Sequence, residues 1–431
     1  MSSDRRLYHL ASNVADWEVT GLVTPPLRVL TRRCEAALLP YGRNFSGRPK
    51  SVVHGPLKAT YLTLPGWLRR AFENPKTLAL AYLLAIPILA IEAARQVRRL
   101  DPDLCVVGHP SFITGVVGVI AAKWNRKPIL LDYPDAWTSL AVETAGLRSP
   151  TAIEVLRSIE SFVARAADRI VVITDSLARY VHALGATAPI TVVSNGAELD
   201  RFKPPAEPPA RAGDADRFRV LFAGRLEPWS GVREMADLVD AVVARVDSRV
   251  EFHFVGDGSA AKSFQRELAR RGLSDYCRFD GFQPYWLMPE YIAACDLALL
   301  LFPDTQTTRV SSPVKLFEYM AMGKPVIASN LPGVREAVGR GEAIIVDDLR
   351  SPTLADEVVR LIGSPAECAR IGDAAMRLVN ERFGWHHLAG LFEAEMDRAV
   401  AAARTREFSP LPVYSATVAA PMPSANSASP P

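Results

Sequence analysis

The chain has 431 residues, 49% hydrophobic and 23% charged, which excludes collagen-like, coiled-coil and wholly disordered classes and, at roughly 150 residues per domain, leaves room for two or three cores. Fifty Lys and Arg against 47 Asp and Glu give a net charge of +3, too near neutrality to argue for nucleic acid. The charge is unevenly placed: residues 1–131 hold 18 basic and 8 acidic residues, whereas residues 206–431 hold 25 and 30, so the two ends face different partners. Five cysteines, Cys34, Cys105, Cys277, Cys295 and Cys368, are scattered without C-x-x-C spacing. They indicate neither a disulfide framework nor a zinc site and fit a reducing, cytoplasmic compartment.

The start, MSSDRRLYHLAS, has no apolar run of signal-peptide length, so the mature protein is expected to begin near Met1. RRLYHLAS reads as a strand. Residues 28–76 carry ten Lys/Arg against Glu35 and Glu73, with Tyr41, Phe45, Tyr61, Trp67 and Phe72 among them. Basic residues interleaved with aromatics suit an anionic membrane surface, a solvated basic face being the plain alternative; nucleic acid is not expected, because the stretch has no recognised binding motif. Residues 77–91, TLALAYLLAIPILAI, form an apolar run of 15 with Pro87 inside, short of the ~20 residues of a membrane span, and predict a buried helix.

From Asp101 onward short apolar runs alternate with helical stretches. DLCVVGH, KPILLDY, DRIVVITDS, PITVVSN, FRVLFAGR, VEFHFVGDG, CRFDGF, CDLALLLF, KPVIASN and EAIIVDD each end in Gly, Asp, Asn, Pro or a similar punctuation, as strands buried on both faces of a parallel sheet do. SPTAIEVLRSIESFVARAA and SAAKSFQRELARRG have helical period, the second closed by Gly272. The prediction is an α/β architecture of doubly wound sheets. Residues 204–217, PPAEPPARAGDADR, read as an extended linker. The expected organisation is a first domain over 1–203, the linker, a second domain over 218–384, a helix over 385–408 and a disordered tail over 409–431.

Three segments carry candidate chemistry. In VSSPVKLFEYMAMG, Ser311 and Ser312 precede Pro313, which predicts a Ser-capped helix with Pro at its first position, ending at Gly323. The free N–H groups at its start suit a diphosphate. Lys315 in the first turn adds a point charge, and Glu318, three residues on, can accept hydrogen bonds from vicinal hydroxyls; a solvated Lys–Glu pair on an ordinary helix is the alternative. In FRVLFAGRLEPWSG, Arg225 follows a strand end, where a guanidinium can fork onto phosphate oxygens or simply sit at the surface. VEFHFVGDGSAA matches G-x-G-x-x-A, with Asp280 beyond it; the position well past the linker favours a close turn at Gly256 and Gly258 over a dinucleotide site.

Taken in order, PDLCVVGHPS, LLDYPDAWTSL, IESFVARAADRIVVITDSLARYV, ITVVSNGAELDRF, AGRLEPWSGV, FVGDG, FDGFQPYWLMPEYIAACDLALL and SSPVKLFEYMAMGKPVIAS resemble glycosyltransferase family 4 over residues 101 to about 400. RFGWHHLAGLFEAEM is similar to that family's carboxyl-terminal helix around a tryptophan, here Trp385, which returns to the first domain. The resemblance implies the GT-B fold, two Rossmann-like doubly wound domains facing across a cleft. It also implies a nucleotide-sugar as co-substrate, retention of configuration, and no metal or other cofactor. Donor binding would involve Arg225, Ser230, Gly281, Phe282, Ser311, Ser312, Lys315 and Glu318, with Glu318 as the second acid of the family's E-x7-E motif. Its first acid falls at Val310, and the family's usual phosphate-binding lysine falls at Ser230. The first domain would hold the acceptor. There Asp135 can position or deprotonate the acceptor hydroxyl, or cap a helix starting at Ala136, and His109 can bond a sugar hydroxyl or serve as a core or capping histidine.

The function expected is therefore a glycosyltransferase acting on a glycan or lipid-linked glycan in cell-envelope or exopolysaccharide synthesis, cytoplasmic or peripheral on the inner face of the membrane. A nucleotide-sugar epimerase of the same fold and a non-catalytic nucleotide- or carbohydrate-binding partner subunit are the competing classes.

Overall fold

The computed structural model of the protein describes residues 7–10, 34–39, 51–54, 57–61, 68, 78–108, 112–144, 146–206, 217–339, 341–350 and 352–405. The first part contains strands β1 (Leu7–Leu10), β2 (Cys34–Leu39), β3 (Ser51–His54) and β4 (Leu57–Tyr61), helix α1 (Leu78–Leu100), β5 (Leu104–Gly108), α2 (Phe112–Trp124), β6 (Ile129–Tyr133), α3 (Trp137–Thr144), α4 (Pro150–Ala166), β7 (Arg169–Val172), α5 (Asp175–Ala183) and β8 (Ile190–Val192). The strands form one sheet in the order β3-β4-β2-β1-β5-β6-β7-β8, parallel except for the β3–β4 pair. Here β2, β3 and β4 come from the basic stretch, where Lys, Thr and Ser interrupt the apolar pattern and no strand was expected.

The second part contains β9 (Phe218–Ala223), α6 (Val232–Val246), β10 (Val250–Val255), α7 (Ala261–Arg270), β11 (Cys277–Gly281), α8 (Met288–Ala293), β12 (Leu297–Leu300), α9 (Gln306–Val310), α10 (Val314–Ala321), β13 (Val326–Ser329), α11 (Pro332–Ala337), β14 (Ile344–Val346), α12 (Pro352–Ile362), α13 (Pro365–Arg382) and α14 (Trp385–Arg404). Its sheet runs β11-β10-β9-β12-β13-β14, all parallel. Strand residues alternate between two apolar layers, as a period of two requires. Val220 and Phe222 enter one layer, and Leu221 and Ala223 the other. This is the GT-B arrangement of two doubly wound domains.

In each sheet the strand order reverses, beside β1 and β5 in the first and beside β9 and β12 in the second, and ligands of such folds bind at the carboxyl ends of strands near that point. The loops there are laced together in the second domain. Gly224 N–H donates to Val255 O at 2.8 Å and Gly256 N–H donates to Gly281 O at 2.8 Å. Gly256 has φ +138°, and a Cβ on it would lie 1.8 Å from Gly224 O. The G-x-G-x-x-A match is thus the close turn, and Asp280 bonds His253 and Arg278 inside this domain.

The chain then crosses back. Ala197 N–H donates to Phe383 O at 2.9 Å and Trp385 N–H to Ala197 O at 3.0 Å, a bridge between the outgoing and returning strands of chain. Beyond it α14 lies on the first domain, where buried Glu395 accepts from Arg169 Nε at 2.7 Å.

Two expectations are corrected. Helix α1 runs nine residues past the end of the apolar run that announced it, and it is not buried all round: Leu80, Leu84 and Ile91 are exposed. Among the described residues no helix is long and apolar enough to cross a membrane. Most of the linker and the whole tail over 409–431 lie outside the described residues. Gly256→Ala is expected to cost about 3 kcal/mol of unfolding free energy, since a side chain meets both a forbidden φ and a carbonyl. Urea denaturation reads this directly, and an unchanged midpoint would disprove the close approach.

Candidate active site

The wall supplied by the second domain is built around the first turn of α10. The helix starts one residue later than its sequence suggests: Pro313 stands at the N-cap, without a side-chain cap, and Val314 is the first helical residue. Ser311 instead ends α9, with its hydroxyl on Thr308 O at 3.0 Å. Ser312 is buried and faces the other domain. The carboxyl end of α10 is as expected, with Gly323 at φ +66° after it.

Lys315 is not half of a solvated pair. Its Nζ lies 4.4 Å from the Phe222 ring centroid and 4.9 Å from that of Phe302. A Cβ on Gly224 would come within 2.8 Å of that Nζ, so glycine at the end of β9 leaves room for the amine. Burial pulls the Lys315 pKa down to about 8, against the charge of Glu318, which raises it. Glu318 is 7% exposed, and its Oε1 accepts the Tyr285 hydroxyl at 2.6 Å. Burial pushes Glu318 up to about 7, while the Tyr285 hydrogen bond and the Lys315 and Arg201 charges pull the other way.

Around this pair, Arg225 is exposed and its Nη2 donates to Glu227 Oε1 at 2.5 Å. Ser259 Oγ, donating to Glu227 Oε2 at 2.5 Å, fixes that carboxylate, and both bonds hold it below the usual carboxylate range. Ser230, expected at the ligand, is fully buried. Its hydroxyl accepts from Glu227 N–H at 3.0 Å and donates to Glu227 O at 2.8 Å, so it closes a turn and has no reach toward a phosphate. Gly281, at φ +66°, and the exposed Phe282 end β11 on the same edge of the sheet.

The first domain faces this wall through its own strand ends. After β7, Thr174 Oγ1 donates to Val310 O at 2.8 Å. After β8, Asn195 Nδ2 donates to Ser312 O at 2.7 Å, and Ser194 and Ser312 hydroxyls share a bond of 3.1 Å. Val310, where the family's first acid falls, is buried within the apolar core of the first domain. These contacts were not legible in sequence, because Thr174, Ser194 and Asn195 stand at strand ends with nothing local to mark a partner in the other domain. The same holds for Tyr285.

After β6, Asp135 sits in a loop tied at both ends to buried Glu160, which accepts from Tyr133 Oη at 2.5 Å and Trp137 N–H at 2.9 Å. Glu160 therefore takes the first N–H of α3, and Asp135 is not its cap. Among the described residues none donates a hydrogen bond to Asp135. Burial alone pushes it up to about 7, and Asp132 is raised to about 7 by burial and by the Asp135 charge. His109 lies outside the described residues. Among the described residues no group of three or more His, Cys, Asp or Glu is placed to hold a metal ion.

The strand ends thus offer, in the second domain, a desolvated ammonium and a buried carboxyl beside a helix start and, in the first domain after β6, a carboxyl raised by burial. Since the Glu318 pKa of about 7 stands above its ordinary 4.5, its contribution is present at low pH and lost as pH rises through the folded value. Chemical denaturation should show wild type losing stability relative to Glu318→Gln between about pH 4.5 and 7, and a constant difference across that window would disprove the desolvation.

Two family models match the chain: the glycosyl transferase 4-like domain over residues 4–196 and glycosyl transferases group 1 over residues 217–364. The 2-deoxystreptamine glucosyltransferase of Streptomyces kanamyceticus is 30% identical over 207 residues, 47% of this chain and 50% of that protein, so the match spans about half its length. A D-inositol 3-phosphate glycosyltransferase of Thermomonospora curvata is 26% identical over 383 residues, 83% of this chain and 82% of that one. Among solved structures, Anabaena HepE in complex with UDP superposes with a TM-score of 0.66 at 19% identity, covering 91% of this chain and 100% of that chain, a likeness of fold. With both domains matched in order and the two-sheet architecture in place, the chain belongs to the group 1 glycosyl transferases, with a glycosyl transferase 4-like first domain.

Proposed function

We propose that the protein transfers a sugar, with retention, from a nucleotide-sugar donor bound at the start of α10 to an acceptor held by the first domain. The observation that carries this reading is the Lys315–Glu318 pair: an ammonium and a carboxyl both desolvated at the strand ends, one suited to a diphosphate and the other to ribose hydroxyls. Arg225 at the rim and the open N–H groups of α10 would share the charge of the leaving diphosphate, which is electrostatic stabilisation without a covalent nucleophile. Asp135, near neutrality, would position or deprotonate the acceptor hydroxyl. Ser311, Ser312 and Ser230 act in this reading by shaping the loops.

The acceptor we propose is a glycan or lipid-linked glycan of envelope or exopolysaccharide synthesis, reached at the inner face of a membrane. A small cyclitol or aminoglycoside acceptor is the second reading, favoured by the names of the two relatives above. The family match argues for transfer over epimerisation or nucleotide binding alone. Calorimetry with a panel of nucleoside diphosphates and nucleotide sugars tests the donor half; no binding by any of them would overturn it.

Lys315→Ala should weaken nucleoside diphosphates about 10- to 100-fold, as expected for a charged hydrogen bond, and the bare nucleoside much less. Because the free amine titrates at about 8, wild-type affinity should fall as pH rises above that value, and the variant should lack this dependence. Asp135→Asn should lower kcat about 10²- to 10⁴-fold with donor affinity unchanged, and the wild-type rate should climb with pH through about 7. Equal kcat in the two proteins would remove Asp135 from the chemistry.

A further inference from the structure

We propose that the outer face of α1, continued by the end of α2, is a docking surface for an anionic membrane. The inference gives a place to the membrane part of the function proposed above and does not depend on the transferase part. Leu80, Leu84, Pro87 and Ile91 recur every three or four residues, Arg95 and Arg98 continue the series, and all six fall within an arc of about 80° at 3.6 residues per turn. That arc points away from the core, since Leu80, Leu84 and Ile91 are 57%, 40% and 42% exposed while Ala81, Ala85, Leu89 and Ala93 on the other side are buried. On α2, Ile120 is half-buried and Trp124, four residues on, is 67% exposed. Asn125 Nδ2 donates to Ala94 O at 2.9 Å, so the end of α2 lies against the turn of α1 between Ile91 and Arg98.

The face is apolar at one end and cationic at the other. Arg98, Arg99 and Arg126 are exposed, and among the described residues no carboxylate pairs with them, whereas Arg95 lies 3.7 Å from Glu92 Oε2. A stripe of leucine and isoleucine with a tryptophan and unpaired arginines suits insertion at the headgroup level, the arginines meeting phosphates. The rest of the molecule agrees in sign: residues 1–131 carry a net charge of +10 and residues 206–431 a net of −5, so an anionic surface attracts the first domain and repels the second. A second copy of the chain, the other occupant of an apolar stripe, would have to cover the same unpaired arginines. The placement also serves the cleft. Because α1 turns back into β5 through a short connection, its Leu80 end lies on the side of the strand carboxyl ends, and a lipid-anchored acceptor would arrive beside the site. The basic stretch of residues 28–76, in which a membrane surface was first expected, lies mostly outside the described residues.

The test is sedimentation with vesicles of phosphatidylcholine containing about a quarter phosphatidylglycerol, compared with phosphatidylcholine alone. Wild type should pellet with the anionic vesicles at low salt, and high salt should release most of it. Two sets of variants, Leu84→Glu with Ile91→Glu and Arg98→Gln with Arg99→Gln, should each lower the partition coefficient, the second by about fivefold per arginine, while nucleotide affinity and melting temperature stay as in wild type. Trp124→Ser, on an exposed position, should also lower binding and serves if the glutamate variant does not fold. Wild type that fails to pellet at low salt, or variants that pellet like wild type, would overturn the proposal. So would a wild-type dimer in equilibrium sedimentation that Leu84→Glu with Ile91→Glu converts to a monomer, since the face would then be an interface between copies.

Discussion

The turn joining α9 to α10 cannot be satisfied by the domain that contains it. Its carbonyls at Val310 and Ser312 are taken by Thr174 and Asn195 of the other domain, at 2.8 and 2.7 Å, and the Val310 side chain completes the other domain's core. A buried carbonyl left without a donor costs about 1–3 kcal/mol, so the turn has its present shape only while the two sheets face each other. The first turn of α10, with Lys315 and Glu318, inherits that shape. The debt is mutual. Glu336 of α11 accepts from Asp175 N–H at 2.7 Å and Ser176 N–H at 2.9 Å, capping α5 of the first domain with a carboxylate from the second, where the helix dipole favours negative charge.

Such reciprocity asks for a second tie, because contacts of this kind alone would let the domains swing freely about a single chain crossing. The bridge between Ala197 and Gly384 sets the outgoing and returning segments side by side, and α14 then fastens to the first domain through Glu395. That carboxylate is 1% exposed and has Arg169 beside it and Arg398 bonded to it. Breaking a buried pair by removing one partner is costly, so α14 is a fixed part of the first domain even though it follows the second in sequence.

How much of this could be read from residues alone depends on range. Parallel strands buried on both faces leave five-residue apolar runs, and each of the ten runs quoted from Asp101 onward is a strand. Strands β2, β3 and β4 broke that rule because their sequences, CEAALL, SVVH and LKATY, are short or mixed and lie in a stretch whose charge invited another reading. Helix ends were legible where the signal is local, as with Gly323 after α10, and misread where it is not: Ser312 looks like a cap until Ser194 takes its hydroxyl. The candidate pair at Lys315 and Glu318 was legible by spacing and by family resemblance. Its burial was not, because the enclosing Phe222, Tyr285 and Phe302 come from three other segments, and desolvation is a property of the enclosure.

That desolvation governs how the site would meet a ligand. With Glu318 near 7 and Lys315 near 8, the ammonium is mostly charged at neutral pH while the carboxyl is only about half ionised, so the pair is net positive where a salt bridge in water would be neutral. An approaching anion is favoured by this imbalance. Once seated it would stabilise the charged ammonium, raising that pKa again, and would favour the protonated carboxyl, which can donate to a hydroxyl oxygen as well as accept from one. Both responses take up protons, so anion binding at this site and proton uptake are linked. The cost of burying two ionisable groups is thereby offset when a ligand supplies the balancing charge, and an apolar pair at these positions, though cheaper to bury, would give the ligand nothing to complete.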